Sequence, residues 1–297
     1  MYIYELAALA AATLWAYGGL ISAAPAATMG AIRFNQLRMV IVTIMLAVFV
    51  LLTGRYQSFD WQYAWPMFVS GFIGIFIGDS LLFLTLIRLG PRRTAIIFST
   101  NAVMSVLLGW MFLGEALTFQ EFLGIVLILI GVFLAIVYGK RRGQLHKWEE
   151  VKGKLWVGVV IGLGAALSQS VGSIVAKPVM ESGQDPFFVS MMRVGVAAVF
   201  LSLLIVLPGN FLPKKANITW PLTSIVAFSG FIGMGLGMTL LLFGLSGGNV
   251  GVISTLSATT PAVLLPMIWI KTREMPAIGA WLGASLVVIG SSLLFMH

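Results

Sequence analysis

Ten runs of apolar residues leave this chain one kind of fold, because roughly 20 such residues are what a helix needs to cross the hydrocarbon of a bilayer. They fall at about 3–24, 36–53, 65–87, 94–113, 119–138, 156–176, 187–207, 221–243, 250–270 and 276–296. Strands are excluded at these lengths, since lipid-facing backbone must satisfy its hydrogen bonds within the segment. Composition gives the same answer: 59% of the 297 residues are hydrophobic and 9% charged, against about 25% charged in soluble domains. The first run, "MYIYELAALAAATLW", lacks a basic stretch and a cleavage signature, so it reads as a retained span. The predicted class is an all-α integral membrane protein with ten transmembrane helices.

The halves repeat each other. "GFIGIFIGDSLLFL" (71–84) returns as "GFIGMGLGMTLLLF" (230–243), 159 positions on, and the same shift pairs Trp110 with Trp269, Glu115 with Glu274 and Gly124 with Gly283. Earlier, "RMVIVTIMLAVFVLLTG" (38–54) pairs with "RVGVAAVFLSLLIVLPG" (193–209), and Gly18 with Gly172. Residues 1–138 and 156–297 are therefore expected to be two five-helix repeats, joined by a charged linker over 139–155. Five is odd, so the second repeat enters the membrane from the opposite side. Inverted repeats belong to secondary transporters, with the binding site near the midplane where the repeats meet.

With "LGE" (113–115) closing the fourth span and "LGIVLILIGVFL" (123–134) as the fifth, the chain resembles the EamA family of the drug/metabolite transporter superfamily along essentially its whole length. The resemblance implies a ten-helix carrier for small metabolites, a central cavity between the halves, and peripheral fifth and tenth spans. It implies proline within the fourth and ninth spans; Pro261 fits, whereas Ala102 stands at the matching place in the first half.

Other chemistries lack their residues. There is no cysteine, and the two histidines are His146, in the linker, and His297. Of the three aspartates, Asp60, Asp79 and Asp185, one lies inside a span, whereas an aspartyl protease needs a facing pair. Neither H-E-x-x-H nor G-x-x-x-x-G-K-[ST] occurs, so zinc hydrolysis and ATP-driven pumping have no basis. No enzyme activity, cofactor or metal is expected. The net charge of +8 comes from cations that punctuate the spans instead of forming a basic domain, which argues against nucleic acid.

Asp79 poses the sharpest question. A carboxylate inside a span costs at least ~2.5 kcal/mol, and this one lies roughly 13 Å of helix rise from Arg88. It is either a cavity group that holds a cation or a coupling proton, or a lock between helices; its repeat counterpart is Met238. Arg193, with Arg38 at the equivalent place, reads as snorkelling to an interface, or as an ion-pair partner of Asp79 or a contact to a substrate carboxylate. Gly71, Gly74 and Gly78, and Gly230, Gly233 and Gly237, form small faces for close packing. Thr100 and Asn101 correspond to Thr259 and Thr260 and are read as cavity lining, with Asn101 offering the most hydrogen-bonding valences. Trp15, deep in the first span, and its counterpart Gln169 complete the predicted substrate-binding set.

The expected function is a secondary transporter of a small polar metabolite, an exporter working by alternating access, with proton coupling as one option and a lipid flippase as the alternative. Membrane lipid surrounds it, and a monomer and a homodimer both fit. The expected location is the cell (inner) membrane, crossed many times. Of 18 Lys and Arg, 15 fall at odd-numbered connections; by the positive-inside rule that side is cytoplasmic and both termini face outward, although the resemblance implies termini inside. A fluorescent, phosphatase-inactive fusion at His297 would overturn the outward assignment; a phosphatase-active, non-fluorescent fusion is expected.

Overall fold

The computed structural model describes residues 2–113, 118–138, 151–206 and 219–295. Glu115, linker residues 139–150 with His146, Lys214, Lys215 and His297 lie outside the described residues. Ten helices run in succession: α1 (Ile3–Met29), α2 (Ala31–Thr53), α3 (64–89), α4 (91–113), α5 (Phe119–Val137), α6 (Leu155–Glu181), α7 (Pro186–Val206), α8 (Trp220–Gly247), α9 (Val250–Thr272) and α10 (Ile278–Phe295). Among the described residues, seven stretches are long and apolar enough to span on their own, and shorter apolar helices at Asn101–Phe112, Phe122–Val137 and Ile278–Leu293 supply the rest. Gly90, at φ 79, and Pro91 separate α3 from α4; the left-handed glycine reverses the chain and the proline opens the next helix.

The packing mirrors the duplication. α2 lies on α7, α4 on α9 and α5 on α10, while α3 lies on α6 as α8 lies on α1. Exchanging each helix for the one five places away returns the same set of contacts, as two inverted five-helix repeats require. At the periphery, a Cβ on Gly131 would lie 2.6 Å from the Gly283 carbonyl oxygen, and one on Gly290 2.6 Å from that of Gly124. These crossings are counterparts under the 159-residue shift. Two polar contacts mark opposite faces: Arg55 to Asp185 at 2.5 Å between the end of α2 and the start of α7, and Lys152 N–H to the Arg88 carbonyl at 2.8 Å where the linker meets α3.

Both central helices of the duplicated motif contain a π-helical stretch, Gly71–Ile77 in α3 and Phe231–Gly237 in α8. Such stretches expose backbone carbonyls and recur at functional sites. The glycines in and beside them are required by close approach of the neighbouring helices. A Cβ on Gly71 would lie 2.7 Å from the Arg193 carbonyl oxygen, and one on Gly74 3.0 Å from the Gly172 Cα. In the other repeat, a Cβ on Gly230 would lie 2.9 Å from Cγ of Arg38. The small faces thus admit two arginines.

α4 and α9 each break in mid-span, at Ser99–Thr100 and Ala258–Thr259, where ψ falls to between −14° and −1°. The breaks occupy equivalent positions although only α9 has a proline there. Hydroxyls account for both. Ser99 and Thr100 donate to the Ile96 and Ile97 carbonyls (2.6 and 2.7 Å), and Ser257 and Thr259 to those of Ser254 and Leu256 (2.8 and 2.7 Å). A side chain bonded three residues back competes with the helical ladder.

Gly71→Ala is expected to lower unfolding free energy by about 1–3 kcal/mol, since its methyl would meet backbone. A Cβ on Gly19 meets nothing within 4 Å, so Gly19→Ala should change it by less than about 0.5 kcal/mol. Thermal unfolding in detergent compares them; equal behaviour would contradict the packing described.

Candidate functional site

Helices α1, α2, α3, α4, α6, α8 and α9 wall a cavity with about 780 Å³ of empty space, its open mouth included. Its lining starts at mid-membrane with Trp15, Asp79 and Gln169 and runs outward past Ser22, Leu86, Pro91 and Thr94. Those last positions lie toward the ends of α1 and α3 and the start of α4, so the cavity opens on the face opposite the termini. Apolar groups, among them Phe83, Phe98, Met234 and Leu264, form most of the wall.

The charge sits at the inner end. Arg38 donates through Nη2 to Oδ2 of Asp79, and also to Oδ1 of Asn35 at 3.3 Å. The guanidinium lies 4.5 Å from the centroid of Phe83 and 5.9 Å from that of Phe34. Arg38 and Asp79 are only 5% and 4% exposed, so their mutual attraction must offset two desolvations. The ring faces add electrostatic support of about 0.5–2 kcal/mol.

The second repeat has the same layout with one partner changed. Arg193, fully buried, points Nη1 at Sδ of Met238, 3.3 Å away. Met238 is the counterpart of Asp79. Nε and Nη2 of Arg193 find no hydrogen-bond partner among the described residues. Together the two arginines and Asp79 leave one positive charge in surplus beside the cavity floor.

Trp15 anchors the wall to a π-helical stretch: its Nε1 donates to the Gly233 carbonyl at 2.8 Å, and a Cβ on Gly237 would fall 2.8 Å from that same nitrogen. Thr260 donates to the Ser257 carbonyl at 2.8 Å while lining the cavity.

Of the residues singled out from sequence, Asp79, Trp15, Gln169 and Thr260 line this cavity. Asn101 lies in a separate small chamber that Gln169 also borders. Thr100 and Thr259 sit at the helix breaks, their hydroxyls spent on their own backbone. Arg193 stands behind Met238, outside the lining. The snorkelling reading of Arg38 and Arg193 is corrected, because both side chains, two turns inside their helices, are buried against neighbouring helices instead of reaching out to an interface. Neither belongs in the orientation count, which becomes fourteen cations against two. Asp79 pairs with Arg38 and not with Arg193, because α2 and α3 of one repeat bring Arg38 to it. The ion-pair alternative offered for both arginines holds for Arg38, which the predicted binding set nevertheless left out although it lines the cavity. The signal lay in its equivalence to Arg193, which put two arginines at one depth.

The model of the EamA-like transporter family matches residues 2–137 and 156–296. The chain belongs to this family. This EamA-like protein is 28% identical over 123 residues to "Solute carrier family 35 member B1 homolog" of Drosophila melanogaster, covering 38% of the chain and 35% of that relative. It is 24% identical over 140 residues to "Uncharacterized transporter YoaV" of Bacillus subtilis (strain 168), covering 46% of the chain and 48% of that relative. The matches thus span about a third and about half of those relatives. A solved structure described only as "Crystal structure of protein" superposes with a TM-score of 0.74 at 19% identity, over 98% of this chain and 95% of the other, which bears on the fold alone. The EamA-like chain is a multi-pass membrane protein of a transporter family.

Asp79→Leu is expected to destabilise the fold by about 3–5 kcal/mol, because it strands the Arg38 charge. The double substitution Arg38→Met with Asp79→Leu should recover most of that loss. Denaturant unfolding of the single and double variants in detergent checks the coupling; additive losses would contradict a paired role.

Proposed function

We propose that the protein carries a small metabolite with a polar end and an apolar body across the cell membrane by alternating access, without covalent chemistry or a cofactor. The observation that carries this reading is a cavity between the repeats whose walls are apolar and whose charge is concentrated at mid-membrane. The Arg38–Asp79 pair would receive the polar end, with Gln169 and Thr260 as neutral hydrogen-bonding groups and Trp15 and Phe83 as ring surfaces. The surplus positive charge favours a substrate whose polar end includes a carboxylate. Walls drawn from seven helices suit an enclosed solute better than a lipid, which would need a sideways slot.

The opening bears on direction. The cavity faces the cation-rich side, and if that side is cytoplasmic the described conformation loads from within, as an exporter would. Asp79 is the one carboxylate in the lining among the described residues, so a coupling proton would reside there.

Asp79→Asn tests the assignment, because the amide keeps an acceptor for Arg38 while removing the titratable group. Transport by reconstituted protein, with substrates chosen by thermal-shift screening of metabolites, is expected to fall at least tenfold. Expression and monodispersity should stay near wild type. Undiminished, still proton-dependent transport would remove Asp79 from coupling and leave it a packing role.

A further inference from the structure

A second chamber lies beyond the cavity floor, toward the face that carries the termini. It holds about 170 Å³ of space between atoms, any opening included, with no room for a water molecule, and every residue lining it is buried. Eight residues line it, and each is the repeat counterpart of a residue lining the open cavity. Ser170, Ser173, Ser254 and Ser257 take the places of Ala16, Gly19, Ala95 and Phe98. Asn101 and Ser105 take those of Thr260 and Leu264, and Gln169 and Leu241 those of Trp15 and Leu82.

The chamber also carries an unexplained cost. Oδ1 of Asn101 and Oγ of Ser105, in residues 2% and 3% exposed, have no hydrogen-bond partner among the described residues. Leaving a buried polar group unpaired costs about 1–3 kcal/mol, and such groups call for a reason beyond packing. A second conformation in which they are solvated supplies it. The Ser170 hydroxyl, shared with the Ala166 carbonyl of its own helix at 3.1 Å, donates to the Asn101 carbonyl at 2.8 Å and so links α6 to α4 across the chamber.

We propose that this serine-lined chamber is a second substrate vestibule, closed in this conformation, that takes the uncharged hydrogen-bonding groups of the solute, its hydroxyls or amides. Where the open vestibule presents small or apolar residues, this one presents four serines, and no charged side chain lines it among the described residues. A solute passing from one to the other exchanges an apolar wall for a hydroxyl-rich one, with Gln169 bordering both.

The inference rests on the transport reading, yet its test needs no substrate. The chain has no cysteine, so single cysteines report without background. Gly19→Cys and Ala95→Cys mark the open vestibule, and their counterparts Ser173→Cys and Ser254→Cys mark the chamber. Each reconstituted variant is treated with a membrane-impermeant methanethiosulfonate from either side, and thiol titration after denaturation counts the sites present. The chamber cysteines are expected to label from the side opposite to that which labels Gly19→Cys and Ala95→Cys. In the double variant Gly19→Cys with Ser254→Cys, prior attachment of a bulky thiol reagent at position 19 should slow labelling of position 254 at least tenfold. Chamber cysteines that label from neither side, or from the same side as the open vestibule, would overturn the proposal. Opposite-side labelling with no transported solute found would leave the vestibule standing and count against the transport reading alone.

Discussion

Two guanidinium groups held at mid-membrane depth govern the rest of the architecture. A charge there costs at least ~2.5 kcal/mol even on lenient scales, and Lys or Arg escapes it only by reaching an interface. Arg38 and Arg193 do not reach one. Arg38 is compensated by Asp79 and the ring faces of Phe34 and Phe83. The glycine faces are the steric condition for this: Gly230 clears the Arg38 stem, and Gly71 lets the backbone of α3 come against that of α7 at Arg193. Glycines that read as simple packing surfaces therefore also set where the charge can sit.

The duplicated backbone and the divergent side chains have separate roles. Helix pairing, the π-helical stretches of α3 and α8 and the breaks in α4 and α9 are shared by both repeats, so the two sides of the membrane have equivalent backbone. The site comes from positions where the repeats differ. Asp79 faces Arg38 where Met238 faces Arg193, and Trp15 stands where the other half has Gln169. A fully symmetric centre would bind a solute in two orientations equally well; on the proposed reading these differences select one.

The helix breaks show how little sequence is needed to interrupt a span. Proline marks the break in α9 alone, yet α4 breaks at the equivalent turn because Ser99 and Thr100 capture carbonyls three residues back. Each such bond is modest, about 1 kcal/mol, so either break can be made and unmade at low cost. Each break lies beside a residue that lines one of the two spaces, Asn101 in the closed chamber and Thr260 in the open cavity.

The sequence by itself determined the solvent, the number of spans, the duplication and its inversion. Each is dictated by length, apolar content and an odd count, none of which depends on how helices meet. It also marked Asp79, because the depth of a charge along a helix can be read at about 1.5 Å per residue. Depth was as far as that reading reached for the others. Whether Arg38 or Arg193 pairs with Asp79, why Thr100 and Thr259 turn to their own backbone, and why Asn101 joins the closed chamber were decided by tertiary structure. The physical reason is rotational. Each residue added by a π turn swings the downstream part of the helix by about 100°, and a break re-aims the half-helix beyond it, so side-chain facing is settled only when neighbouring helices dock.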